Sequence, residues 1–140
     1  MSDVERLRAR AAHQAVMEVR ARTSSARAYR QRIRSLPAGI VVNGLGQALA
    51  MLVRDGASDR PEDAAAARTL MEHLQAWLCT GFPASPLAAG EGPLVEMITT
   101  CSDATYVWAG VEAQAYLRWL KKFAEAYLAD AAADDGGRRE

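Results

Sequence analysis

Apolar residues along this chain recur at threes and fours, the spacing of one face of an α-helix, and nowhere settle into the alternation of a half-buried strand. Val4, Leu7, Ala11, Ala15, Val19, Ala26, Tyr29, Ile33 and Leu36 hold one face from about Asp3 to Leu36. A helix of that length would run about 50 Å, longer than a domain of this size is wide, so it either projects or bends. The expected bend is Thr23-Ser24-Ser25, whose hydroxyls compete for backbone hydrogen bonds. Pro37 is expected to end this helix and open the next, because proline lacks an N–H and is tolerated in a first turn. The next segment, to about Asp55, carries Ile40, Val41, Leu45, Ala48, Leu49 and Leu52. Asn43-Gly44 inside it is also a strong hairpin dipeptide. Leu45 to Val53 nevertheless keep helical spacing, and no other segment offers a partner sheet, so a helix is preferred, with Gly44 and Gly46 marking close helix contacts.

A third helix should start at a Ser58 or Asp59 cap, with Pro61 in its first turn, and continue through Leu70, Leu74, Trp77 and Leu78 to Gly81. Phe82 to Gly92, with Pro83, Pro86, Gly90 and Gly92, reads as a loop, and a short helix from Pro93 to about Cys101 follows. Ser102 or Asp103 caps a last helix to about Ala132. Its main stripe includes Tyr106, Ala109, Ala113, Tyr116, Leu117, Leu120, Phe123 and Tyr127, while Trp108, Val111 and Trp119 form a second apolar strip that implies burial on two sides or a side kept for a partner. The expected fold is all-α: a single-domain bundle of about five or six helices over residues 1–133 with a long N-terminal helix. The glycine-containing charged stretch 134–140 is expected to be a disordered tail.

Composition agrees with this class. Ala, Leu and Arg are abundant and β-branched residues few, which favours helix. No apolar run approaches the roughly 18 residues of a membrane span, and the N-terminus alternates charges where a signal peptide would be apolar, so a cytoplasmic protein is expected. Cys79 and Cys101 lie in apolar surroundings without a CxxC or paired histidines, which reads as reduced, buried thiols.

Charge adds information that the neutral total conceals. Met1 to Pro37 holds nine arginines against Asp3, Glu5 and Glu18, a formal +6, which leaves −6 to the remainder. Such a split suits either a polyanion partner or a subunit docking its positive end on a negative neighbour. Arg6, His13, Arg20, Arg27 and Arg34 recur at sevens, on one line nearly opposite the apolar face, and Arg30 lies nearby. Arginine forks pair bidentately with phosphate, so the line could follow a nucleic-acid backbone; a solvated or ion-paired surface is the plainer alternative. A second cluster, Arg118, Lys121 and Lys122 at i, i+3 and i+4, adjoins Tyr116 and Trp119, which sets cations beside aromatic faces as single-strand binding requires. Catalytic readings find no footing. His13 and His73 are the only histidines, and neither belongs to a recognisable arrangement. Paired acids such as Glu62-Asp63 sit where a helix start explains them. Gly44-Leu45-Gly46 follows no strand, and no serine has a nucleophile-elbow setting. No catalytic residue, metal ligand or cofactor is expected.

Three stretches taken together resemble a known family. Ser35-Leu36-Pro37-Ala38-Gly39-Ile40-Val41-Val42-Asn43-Gly44-Leu45 is similar to a "Lys-Leu-Pro, Ile, Asn-Gly-Leu" segment, Tyr106 precedes a long helix, and Trp119-Leu120-Lys121-Lys122-Phe123-Ala124 is similar to a "Trp-Leu-Lys-Arg-Phe-Ala" ending. These belong to the small all-helical subunit of type III-B CRISPR (Cmr) effector complexes, and the resemblance covers roughly Arg20 to Tyr127. It implies a helical bundle, several copies of which stack alongside the backbone subunits that hold the CRISPR RNA. It further implies contact with target RNA through basic residues and no nuclease activity in this subunit. Pro37, Asn43, Gly44, Leu45, Trp119, Lys121, Phe123 and Ala124 match the motifs. Ser35 departs from them, standing where the family has lysine. Lys121 is the one matched position expected to touch RNA, since the others read as packing residues.

Three functions therefore stand beside one another: an RNA-contacting, non-catalytic Cmr subunit, a purely structural protein–protein adaptor, and a helical DNA-binding regulator. The last is weakest, because the basic stripe lies on a long first helix and not on a recognition helix after a short turn.

Overall fold

The computed structural model describes residues 1–128, and among them all regular structure is helical. Six α-helices are present: α1 Asp3–Ala21, α2 Ala26–Asn43, α3 Leu45–Asp55, α4 Pro61–Gln75, α5 Leu94–Thr100 and α6 Asp103–Tyr127. Ser2 caps α1, its hydroxyl accepting from the Glu5 amide at 3.1 Å, and Ser102 caps α6 in the same way for Thr105 at 3.1 Å. The expected tail and the end of the last helix near Ala132 lie outside the described residues.

The N-terminal helix is not one long element. A 3₁₀ turn at Thr23–Ser25 divides it, and the chain reverses there. The reversal follows from the partners of each half. Along α1, Arg8 meets Glu112, His13 meets Phe123, and Arg20 lies over Tyr127, so α1 runs parallel to α6. Along α2, the Gln114 side-chain amide donates to the Pro37 carbonyl at 3.0 Å, and beyond its end the Gly46 amide donates to the Tyr106 hydroxyl at 3.1 Å, so α2 runs antiparallel to α6. The two halves thus flank α6 and bury the apolar face that a straight helix would have left in water.

Pro37 does not end a helix, contrary to expectation; it lies inside α2. Its missing N–H forfeits one helical bond to the Ile33 carbonyl. Leu36 and Ile40 on either side are buried, and Gln114 fixes the Pro37 carbonyl, so tertiary contacts hold the helix through the proline. The break falls at Gly44, whose φ of 82° is a conformation that side-chain-bearing residues rarely adopt. Space dictates glycine here as well. A Cβ at Gly44 would stand 3.1 Å from the Tyr106 hydroxyl, and one at Gly46 would stand 3.6 Å from it. The helix-contact reading of both glycines is therefore correct, and no hairpin forms.

The α4 cap is Arg60 and not Ser58 or Asp59; Ser58 instead accepts from the Arg60 amide at 3.2 Å, one step upstream. Helix α4 passes directly into a π-helical turn, Ala76–Gly81, which carries Trp77 and Leu78 into the core. The core itself gathers Val16, Tyr29, Ile33, Leu49, Leu70, Leu74, Leu78, Leu94, Tyr116, Leu117 and Leu120 from all six helices and the π-turn. The second strip expected on α6 does not act as one surface. Trp108 packs edge-on against Phe82 of the loop, Trp119 stacks on Phe123, and Val111 is exposed.

Candidate nucleic-acid interface

Helix α6 organises the surface because it is gripped on both flanks. On the α1 side the carboxylate of Glu112, only 5% exposed, receives three donors: Arg8 Nε at 2.6 Å, Arg8 Nη2 at 2.7 Å and Trp77 Nε1 at 2.9 Å. A buried carboxylate is costly unless its lone pairs are filled, and here a guanidinium fork and an indole fill them. Glu112 in turn holds the Arg8 guanidinium above its ordinary pKa. Neither residue was singled out from the sequence. The available signal was Glu112 itself, an acid between Ala109 and Ala113 on an otherwise apolar stripe.

Beyond this pair an aromatic ladder climbs α6. Trp119 stacks on Phe123 with ring centroids 5.7 Å apart, and Phe123 faces Tyr127 at 6.3 Å. The His13 ring of α1 meets Phe123 and Tyr127 edge-on at 5.3 and 5.4 Å, and the Arg20 guanidinium lies 5.9 Å over Tyr127. His13 therefore belongs to the α1–α6 contact and not to an outward basic line. The line of sevens is corrected accordingly: Arg6 and Arg20 lie on α1, Arg27 and Arg34 on α2 beyond the reversal, and no straight track joins them.

The α2 arginines and the α6 cluster lie on helices that run side by side. The antiparallel register fixed by Gly46 with Tyr106 and by Pro37 with Gln114 continues along both helices. Extended past Pro37 and Gln114, the same antiparallel spacing would bring Arg34 near the level of Arg118 and Arg30 near that of Lys121. Positions 27, 30, 34 and 37 share a flank of α2 at threes and fours, as do 114, 118 and 121 on α6. Arg27, Arg34, Arg118, Lys121 and Lys122 are exposed, and Arg30 is half-buried with an Nε that no acceptor reaches among the described residues. No ion pair among the described residues engages Arg34, Arg118, Lys121 or Lys122. Around the helix, Arg118, Trp119 and Lys122 also line a shallow cavity of about 150 Å³ with Glu5 and Arg8. Arg118 and Lys122 thus border α1, with its Glu5 and Arg8, on the side where the half-buried ladder lies.

The motif residues sort as packing. Leu45 is buried, Gly44 makes room for Tyr106, Pro37 offers its carbonyl to Gln114, and Trp119 and Phe123 build the ladder. Asn43 is exposed at the end of α2. Against the family model of the CRISPR-associated protein Cas_Cmr5, residues 4–127 of this sequence match. The chain belongs to the Cas_Cmr5 family. It is accordingly a small, all-helical subunit of a Cmr CRISPR complex. No curated protein matches it. The family match runs from Val4, one residue into α1, to Tyr127, the last residue of α6, and so covers all the described helices but Asp3.

One array, buried at Tyr29 and open at Glu18, has the outline of a catalytic relay, and its Glu18 and His73 line a cavity of about 270 Å³ with Tyr116 and Trp77. Tyr29 Oη lies 2.8 Å from His73 Nδ1, and His73 Nε2 lies 3.3 Å from Glu18 Oε2. A carboxylate only accepts, so Nε2 carries the proton and Nδ1 accepts from the tyrosine hydroxyl. Burial holds His73 below its ordinary pKa against the opposing pull of Glu18. Tyr29 is fully buried, with a pKa pushed up by the same burial, and the array joins α1, α2 and α4. Cys79 is buried, and neither it nor the half-buried Cys101 is in a disulfide. Among the described residues no cluster of His, Cys, Asp and Glu is placed to hold a metal ion, and no helix is long and apolar enough to cross a membrane.

Proposed function

We propose that this chain is a non-catalytic, RNA-contacting subunit that stacks along the backbone subunits of its Cmr complex and meets target RNA with the α2–α6 face. The observation that carries the reading is the exposed row Arg118, Lys121 and Lys122 on α6, on a helix beside which α2 carries Arg27 and Arg34 exposed and Arg30 half-buried. One row alone is an ordinary solvated helix face. Two rows on neighbouring helices, in which Glu125 is the exposed acid beside Lys121 and Lys122, make a largely cationic strip suited to a phosphate backbone. The ladder beside it adds aromatic rings on which unpaired bases can stack. The rival is an adaptor whose strip docks on acidic protein.

The deciding experiment reverses Arg27, Lys121 and Lys122 to glutamate in the reconstituted complex. The expected result is normal incorporation with weakened target-RNA binding. Lost incorporation with undiminished RNA affinity of the remaining complex would establish the adaptor reading instead.

A further inference from the structure

The cavity of about 270 Å³ beside Glu18 is walled by α1, α6 and the π-turn. Ala11 and Ala15 leave it room on the α1 side, because neither side chain reaches past its Cβ. The π-turn is held in shape by the Phe82 amide, which donates to the Trp77 carbonyl at 2.8 Å, and by Gly81, where a Cβ would stand 2.6 Å from Trp77 Cε3. Turns of this kind often mark functional positions. Tyr116 lines the cavity from α6. It is 2% exposed, yet its hydroxyl has no hydrogen-bond partner among the described residues, where a buried hydroxyl ordinarily has one. Arg30 Nε is the one polar side-chain atom among the described residues that is both enclosed and unpartnered, so the Tyr116 oxygen keeps contact with the cavity. Burial first and the Glu18 charge second push the Tyr116 pKa up, so the hydroxyl stays neutral and its lone pairs remain acceptors.

We propose that this cavity binds a guanidinium group, held by the Glu18 carboxylate and the Tyr116 hydroxyl. Glu18 supplies the charge. Its side chain is 53% exposed and its two contacts are long, His73 Nε2 at 3.3 Å and Arg22 Nη2 at 3.4 Å, which leaves lone pairs of the carboxylate open. The Arg22 pair is solvent-exposed and contributes little, so an incoming cation can displace it. A guanidinium is more weakly hydrated than an ammonium and presents a flat fork to a carboxylate, which suits a pocket with alanine walls and a buried acceptor. Thr80 adds an acceptor at the rim, since its own hydroxyl hydrogen goes to the Ala76 carbonyl at 2.8 Å. Other ligand classes meet an obstacle. An anion is repelled by Glu18, and a metal ion would need His73 Nε2, which carries the proton donated to Glu18. A nucleobase would need an open ring face, but Trp77 and Tyr116 are buried and stacked on each other at 5.7 Å. This inference does not depend on the RNA reading, because neither Glu18 nor Tyr116 belongs to the cationic strip.

The test titrates the full chain with a capped arginine, N-acetyl-L-arginine amide, and follows the Trp77 indole N–H and the His73 ring by NMR. Saturable shifts centred on the cavity are expected, at lower concentration than for capped lysine or guanosine monophosphate. Glu18→Gln should weaken binding by at least about tenfold, the loss of one hydrogen bond to a charged group. Tyr116→Phe should weaken it by about threefold, the share of a neutral hydrogen bond, while leaving the melting temperature unchanged, since the lost hydroxyl has no partner in the protein. A merely structural tyrosine would show the reverse. The inference is overturned by shifts that do not saturate, by capped lysine or guanosine monophosphate binding as tightly as capped arginine, or by undiminished binding in Glu18→Gln. In the reconstituted complex the two sources of the group separate. Incorporation weakened by both Glu18→Gln and Tyr116→Phe identifies an arginine side chain of a neighbouring subunit, and normal incorporation of variants that no longer bind capped arginine identifies a free guanidinium compound.

Discussion

Arg8 and Glu112, separated by 104 positions in sequence, form a bidentate pair at 2.6 and 2.7 Å that ties the first helix to the last. Their side chains are 16% and 7% exposed, so the pair operates largely out of water, with Trp77 donating to the same carboxylate. The clasp stands at one end of the α1–α6 contact, beside the cavity that Arg8 lines, while His13 and Arg20 meet the ladder further along.

Removing the cation alone should therefore be costly. Arg8→Ala leaves a buried carboxylate with one indole donor, and a loss of about 3 kcal/mol in denaturant unfolding is expected. Glu112→Gln with Arg8→Met, which removes both charges and keeps an acceptor for Trp77, should lose clearly less. Equal losses would show that the pair does not act as a unit.

The α2–α3 break should respond to both of its partners. Tyr106→Phe removes the acceptor of the Gly46 amide and should cost about 1 kcal/mol. Gly44→Ala imposes a Cβ at φ 82° against the same hydroxyl and should cost about 1–2 kcal/mol. Because the two share one contact, the double variant should fall short of the sum; additive losses would exclude the coupling.

Stability should depend on pH through His73. Burial lowers its folded pKa beneath the ordinary 6.5, while Glu18 and Glu72 oppose and Arg22 adds to the lowering. Below about pH 6.5 the unfolded chain then binds a proton that the folded chain resists, so the contribution is fully present above that pH and is lost as pH falls. Protonation would also leave the Tyr29 hydroxyl facing an N–H where it now donates. Melting temperatures between pH 7.5 and 5 should decline more steeply for the natural chain than for His73→Gln. Parallel curves would remove His73 as the cause.

If the cationic strip meets RNA, salt should report it. Each cation that neutralises a phosphate of single-stranded RNA contributes about 0.7 to the slope of log affinity against log salt. Lys121→Ala with Lys122→Ala in the assembled complex should lower affinity for all target sequences alike and flatten the slope by about 1.4 at most. An unchanged slope would place both lysines off the RNA path.

Much of the molecule was legible from local pattern alone. The all-helical class, the bend at Thr23–Ser25, the Ser102 start of α6 and the two glycines beside a close contact follow from spacing, capping and the lack of a Cβ, and these act within a few residues. The cationic candidates were legible as residue types but not as a surface. The sevens from Arg6 to Arg34 presuppose a straight helix, whereas Arg27 and Arg34 lie on α2, after the chain turns back. Glu112 was missed for the same kind of reason: a charge on an apolar stripe is tolerable only if a cation arrives from elsewhere.

Sequence by itself thus determined where helices form and which faces are apolar, because backbone hydrogen bonding and side-chain periodicity are short-range. Tertiary structure decided which helix faces lie side by side. It carried α2 through Pro37 by burying Leu36 and Ile40, admitted Glu112 to the core by delivering Arg8, and turned the helix that carries Arg27, Arg30 and Arg34 back alongside α6. Those outcomes depend on contacts between segments far apart in the chain, whose energies no local pattern records.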